Sequence, residues 1–249
     1  MRVEPASLRP EYAAYPRNAA LDLVKWLAML TMLLDHLRLL WPYMHSLFVP
    51  GRLAFPLFCL AIAANVARAR PDQLFSSTNA RYLTYMLVFA LVSEAVYRPM
   101  SPAGTLNVMF TLLLGLLIAW GFHYRSVLSA GMTVGAAALA AWMDGPLMYG
   151  FLGCLLPAAL LLAIKRPGPS WVLSAVLCVA INTRSSLWAR AMDVDAYSLA
   201  VLGSAFAAPL IGLWLLRTPI AIKVWPVGQW GYWFYPLHLA LLQALRATL

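Results

Sequence analysis

Nine apolar runs follow one another along the chain, at about residues 20–41, 52–68, 81–97, 105–122, 126–143, 147–164, 170–183, 197–216 and 229–247. A membrane span needs roughly 20 predominantly apolar residues, so a series of runs of this length leaves few soluble folds open. Composition agrees. Of the 249 residues, 63% are hydrophobic and 11% charged, where a soluble domain carries about 25% charged residues. Mean hydropathy is +0.75. An ordinary soluble globule is excluded. No period-two alternation is sustained, which excludes a β-barrel. The predicted fold class is all-α, a polytopic transmembrane helical bundle of about eight or nine spans. It forms a single membrane-embedded domain over 18–249, after a polar cytoplasmic segment over 1–17. The seventh run is short and reads equally as a tilted, half-buried or re-entrant segment.

Turn chemistry separates the runs at Pro42 and Pro50, Arg70-Pro71-Asp72, Pro99 to Gly104, Asp144-Gly145-Pro146, Pro167-Gly168-Pro169 and Pro226 to Gly228. The net charge of +9 is scattered between apolar runs, so it reads as topogenic charge and not as a nucleic-acid surface. If all nine runs span, one side collects Arg2, Arg9, Arg17, Arg68, Arg70, Arg81, Arg125, Lys165, Arg166, Arg217 and Lys223. The other side holds only Arg52, Arg98, Arg184, Arg190 and Arg246. This asymmetry predicts a cytoplasmic N-terminus. Met1 to Arg17 is too polar for a cleavable signal. Cys59, Cys154 and Cys178 lie inside apolar runs without metal-ligand spacing, so neither a zinc site nor a disulfide is expected.

The first run carries the chemistry. Ionisable side chains inside a span are costly and face a bundle interior or cavity. This run holds Asp22, Lys25, Asp35, His36 and Arg38. Lys25 and His36 are eleven residues apart, within about 20° of one helical face and roughly 16 Å apart along the axis. Lys25 reads either as a snorkelling boundary residue or as part of a polar stripe. Asp35 can pair with Arg38 at i+3 or approach a histidine on another helix. A neutral imidazole takes a proton from an amine or hydroxyl nucleophile, and a carboxylate can orient it. Further polar positions are Arg52, which either binds an anion or marks the membrane boundary, then Asn65, Glu94, Asn107, Tyr235 and His238. Two histidines, several carboxylates, a lysine and an arginine together make a candidate shared polar cavity. His45 and His123 read as interfacial.

These blocks occur in a characteristic order. Lys25 is followed by Asp35-His36, then Gly51-Arg52-x-Ala54-Phe55-Pro56-Leu57-Phe58, Asn107-x-x-Phe110-Thr111 and Tyr235-x-x-His238-Leu239. From about residue 18 to 247 the chain resembles the TraX family, known for acetylating the N-terminus of F-type conjugative pilin in the bacterial inner membrane. It also resembles the wider membrane acyltransferases, whose first helix carries a basic residue, ten intervening residues and a histidine, here Lys25 to His36.

The resemblance implies an acyltransferase-like fold and an acetyl-CoA-dependent enzyme. His36 would be the base, Asp35 its orienting neighbour, and Lys25 and Arg52 the donor-binding cations. Asn107, His238, Glu94 and Tyr235 would be supporting polar positions. Expected partners are membrane lipids and a pilin or another membrane acceptor, with no nucleic acid and no metal. Other readings are a different pilin-maturation reaction on the same scaffold, a small transporter or lipid-handling protein, and a structural pilus-assembly subunit.

Overall fold

A computed structural model describes residues 18–101, 104–182 and 186–248; the polar segment predicted for 1–17 lies outside the described residues. Almost all of it is helical. The order is α1 (Ala19–Leu37), α2 (Phe48–Gly51), α3 (Ala54–Arg68), α4 (Ser77–Tyr97), α5 (Val108–Tyr124), α6 (Val127–Trp142), α7 (Gly150–Lys165), α8 (Pro169–Ile181), α9 (Leu187–Met192), α10 (Ala196–Arg217) and α11 (Trp230–Arg246). Short polar residues set several starts by accepting a hydrogen bond from the first turn. Asn18 caps α1, Ser76 caps α4, Asn107 caps α5 and Ser126 caps α6. Asp195 caps α10, and the Ser198 hydroxyl and N–H hold its carboxyl below the usual carboxylate range.

The second apolar run begins earlier than its sequence suggests. Pro42–Leu47 forms 3-10 turns that lead through α2 into α3, giving a helical stretch of 27 residues from Pro42 to Arg68. Prolines at 42 and 50 break its regularity without ending it, because each sits where the missing N–H is tolerated. By length and composition this stretch and α10 are long and apolar enough to cross a membrane. The helices α5 to α8 are apolar but shorter. At 13 residues, α8 is about 20 Å long, against a hydrocarbon core of roughly 30 Å.

Even so, α8 returns the chain from one end of the bundle to the other. Arg217, closing α10, lies over Trp171 at the start of α8, and Arg52 reaches Asn182 just past its end. Among the described residues, one helix of 13 residues or more answers each apolar run: α1, α3 to α8, α10 and α11.

At the centre, α3 packs against α1, α5, α7 and α10, while α5 lies between α4, α6 and α7. Leu57, Leu60, Leu116, Leu156, Leu160 and Leu213 are fully buried there. Packing of this kind depends on close approach, because apolar residues gain little by leaving lipid for a helix interface. At Gly212 a Cβ would stand 2.4 Å from Leu60 Cδ2, so α10 reaches α3 only because that position is glycine. The three cysteines are buried and free. His123, expected at an interface, is buried instead, with its Nε2 bonded to the Ala69 carbonyl between α3 and α4.

Candidate functional site

His36 sits in the last turn of α1 and His238 in the third turn of α11. The structure brings their rings together, His36 Nδ1 lying 2.7 Å from His238 Nε2. The rings are within 9° of coplanar with centroids 4.9 Å apart. With that nitrogen–nitrogen distance, this is an edge-to-edge hydrogen bond and not a face-to-face stack. His238 Nδ1 lies 2.7 Å from the Phe234 carbonyl, one turn earlier on the same helix.

The ring protons follow from this network. A carbonyl only accepts, so His238 Nδ1 carries the proton. In the neutral ring His238 Nε2 is then a bare acceptor, and His36 Nδ1 must donate to it. The lone pair of the couple is left on His36 Nε2, which has no hydrogen-bond partner among the described residues. A carbonyl thus fixes one tautomer through the other ring, as a hydrogen-bonded carbonyl or carboxylate does for histidine ligands and bases.

Asp35 does not orient this pair. Its Oδ1 accepts from Arg38 Nε at 3.0 Å and lies 3.8 Å from Arg52 Nη2. Adjacent residues on a helix diverge by about 100°, so the carboxylate faces α2 while the imidazole faces α11. Both guanidinium groups lie over the Phe48 ring, at 4.6 Å for Arg38 and 3.9 Å for Arg52. Arg52 also donates to Asn182 Oδ1 at 3.4 Å, and its Nε is buried without a partner. Two guanidinium groups against one carboxylate leave a positive surplus beside His36.

Gly51 makes the cluster possible. A Cβ there would stand 2.6 Å from Asp35 Cβ and 2.7 Å from its Oδ1.

Asn107 and Glu94 form a separate clamp. The Asn107 amide donates to Ala90 O and Glu94 Oε2, both at 2.8 Å, while its oxygen caps Met109 N–H. Glu94 also binds Arg98 at 2.7 Å. The clamp ties α4 to the start of α5, and Asn107 is fully buried in it. The Tyr235 hydroxyl is buried beside the Val108 backbone without good hydrogen-bond geometry to any group among the described residues.

Lys25 lies at the other end of α1. Its ammonium donates to the Val227 carbonyl at 3.0 Å and sits 3.9 Å from Asp22 Oδ1, which accepts the Val227 N–H at 3.1 Å. The pair clasps both polar groups of Val227 and holds the segment before α11 against α1. From this clasp a cavity of about 140 Å³ runs between α1, α3, α4, α5 and α11. Lys25, Met29 and Met32 line it on α1; Gly228, Gly231, Phe234 and Tyr235 line it on the α11 side. His36 continues the α1 row one turn beyond Met32, and His238 follows Tyr235 by three positions. The stripe expected from Lys25 to His36 is therefore a cavity wall leading to the histidine pair.

Sequence reasoning missed the aromatic partner Phe48, Asn182 and the Val227 backbone. The Asp22–Lys25, Asp35–Arg38 and Glu94–Arg98 spacings carried a local signal.

Comparison with known proteins adds a family. A family model described as TraX protein matches residues 20–246. The chain is 28% identical over 234 residues to "Protein TraX" of Escherichia coli, covering 90% of this chain and 86% of that one. No solved structure matches.

Proposed function

The chain belongs to the TraX family, and from that premise we propose that it is an integral membrane acetyltransferase. It moves an acetyl group from acetyl-CoA to the N-terminal amine of a conjugative pilin, working in the bacterial inner membrane with its N-terminus in the cytoplasm. On this reading the nine helices that answer the apolar runs are the spans, and the Lys25 end faces the cytoplasm.

The observation that carries the proposal is the free lone pair on His36 Nε2, fixed by the 2.7 Å bond to His238. An amine nucleophile must lose a proton as it forms the new C–N bond. His36 Nε2 accepts that proton while the amine adds to the thioester carbonyl. Collapse of the tetrahedral adduct breaks the C–S bond, and the proton returns from His36 to the departing thiolate. Positive charge in transit on His36 is shared with His238 through their hydrogen bond. Developing negative charge on the carbonyl oxygen is favoured by the surplus charge of the Arg38–Asp35–Arg52 cluster. Lys25 at the cavity mouth is the cation for the donor's phosphates.

The test is mass spectrometry of membrane polypeptides from cells with and without the protein. A pilin heavier by one acetyl group only in its presence supports the reading. An unmodified pilin N-terminus in both, with the protein inserted and intact, overturns it.

A further inference from the structure

The cavity has a chemical polarity of its own. Its polar side chains gather mostly at the Lys25 end, where α3 supplies Asn65 and α4 supplies Tyr82, while Tyr235 lines the other end. Further along, the wall is Met29, Met32, Phe58, Met86 and Leu112. Along α1 the lining from Lys25 to Met32 covers about 10 Å, and His36 lies one turn further on. The space is thus a narrow apolar barrel with a cation and an amide–phenol pair at its mouth and a base beyond its far end.

Asn65 is out of place unless something meets it. The α3 helix is apolar from Ala54 to Ala64, and an amide facing an apolar cavity is costly when its hydrogen-bonding capacity goes unused. An asparagine side chain offers two N–H donors and a carbonyl acceptor. Even with one N–H turned towards the Tyr82 oxygen, an N–H and the carbonyl remain for a ligand. A secondary amide, with one N–H and one C=O, is the complement of that pair. Glycines border the mouth as well. A Cβ built at Gly228 meets nothing within 4 Å, so a side chain there would project into open space at the lip of the cavity.

We propose that this cavity holds the amide-bearing thioester arm of the acyl donor, with Asn65 and Tyr82 binding an amide of that arm and Gly228 keeping its mouth open. The inference rests on the donor reading above and adds to it the path and the groups that select the arm. A plain hydrocarbon chain would fill the barrel but leave that N–H and carbonyl of Asn65 unmatched. An arm with an amide towards its phosphate-bearing end and a thioester at its tip satisfies the mouth and the base in sequence. Lys25 still has a donor to spare for phosphate, since its ammonium carries three N–H groups and one is given to Val227.

Equilibrium binding to the full chain in detergent tests this, with coenzyme A, pantetheine and dodecanoate as probes. Asn65→Leu should weaken coenzyme A and pantetheine alike, by roughly three- to tenfold, the worth of a lost hydrogen bond. Tyr82→Phe, which keeps the ring and the packing, should weaken both in the same direction. Lys25→Gln should weaken coenzyme A and leave pantetheine unchanged. Gly228→Leu should reduce binding of both, while Gly228→Ala retains it. If wild type binds coenzyme A and folded Asn65→Leu, Tyr82→Phe and Gly228→Leu all bind it equally well, the arm lies elsewhere; the donor reading then survives and this inference does not. If wild type binds neither coenzyme A nor pantetheine but takes up dodecanoate, both fall.

Discussion

Replacing His238 separates a base from the group that aims it. In His238→Phe the ring volume stays, but His36 Nδ1 loses the acceptor now 2.7 Å away. The His36 ring is then free to place its proton on either nitrogen and to turn. A buried donor left unpaired costs about 1–3 kcal/mol, and each 1.36 kcal/mol is tenfold in rate. The kcat for acetyl transfer should therefore fall by roughly five- to 150-fold, with KM for the donor little changed. His36→Ala removes the base itself and should cost about two to four orders of magnitude. His238→Gln can present an oxygen where Nε2 stood, so it should recover part of the loss. The double variant His36→Ala/His238→Phe should be no slower than His36→Ala, because the two residues act as one unit. The assay is acetylation of a pilin N-terminal peptide by the protein in lipid vesicles, with melting in detergent as the check on folding. A folded His238→Gln protein as inactive as His36→Ala would place the base on His238 and refute the proton assignment.

Gly51→Ala drives a methyl to within 2.6 Å of Asp35 Cβ; overpacking of this kind costs about 1–3 kcal/mol and should lower the melting temperature in detergent, whereas an unchanged melt would mean that α1 and α2 approach less closely. Asn107→Ala removes the cap of α5 together with the bonds to Ala90 and Glu94, an expected loss of about 1–3 kcal/mol. Asn107→Asp should be worse, since it sets a second carboxylate against Glu94 Oε2, and equal melting of the two variants would count against the clamp. For orientation, a cysteine at Gln73→Cys should escape an impermeant thiol reagent applied outside intact cells, while one at Asp193→Cys should react; the opposite pattern reverses the side from which the donor enters.

The helices were legible because a helix in lipid has to satisfy its own backbone and present apolar side chains, and both demands are written locally. Apolar runs therefore mark the longer helices one for one, leaving out only the short α2 and α9, and Pro, Gly and short polar residues mark their ends. The i,i+3 pairs Asp22–Lys25 and Asp35–Arg38 are equally local. What joins helices was not legible. His36 and His238 are separated by 202 positions; the sequence sets both inside apolar runs and His45 and His123 near run ends, but nothing near either says that the two rings meet. The Gly51-Arg52 block shows the same limit. Its glycine is explained by Asp35 Cβ and its arginine by Phe48 and Asn182, contacts that exist only once α1, α2 and α8 are assembled.

The paired polar groups also explain why polarity alone could not single out the chemistry. In a membrane bundle an unpaired charge or amide is expensive, so most such groups end as fasteners. Asp22 and Lys25 secure Val227, Asp35 holds two arginines, and Asn107 with Glu94 ties α4 to α5. A polar residue inside a span therefore marks, first of all, a place where helices meet. The histidine pair differs in what its bond leaves over. A carboxylate and a guanidinium that meet largely satisfy one another, whereas two neutral imidazoles in line, anchored at one end by a carbonyl, pass a lone pair to the other end. That remainder sits on His36 Nε2, one turn beyond Met32 at the cavity wall, and it is why the reaction is placed at this pair and not at the more numerous charges around it.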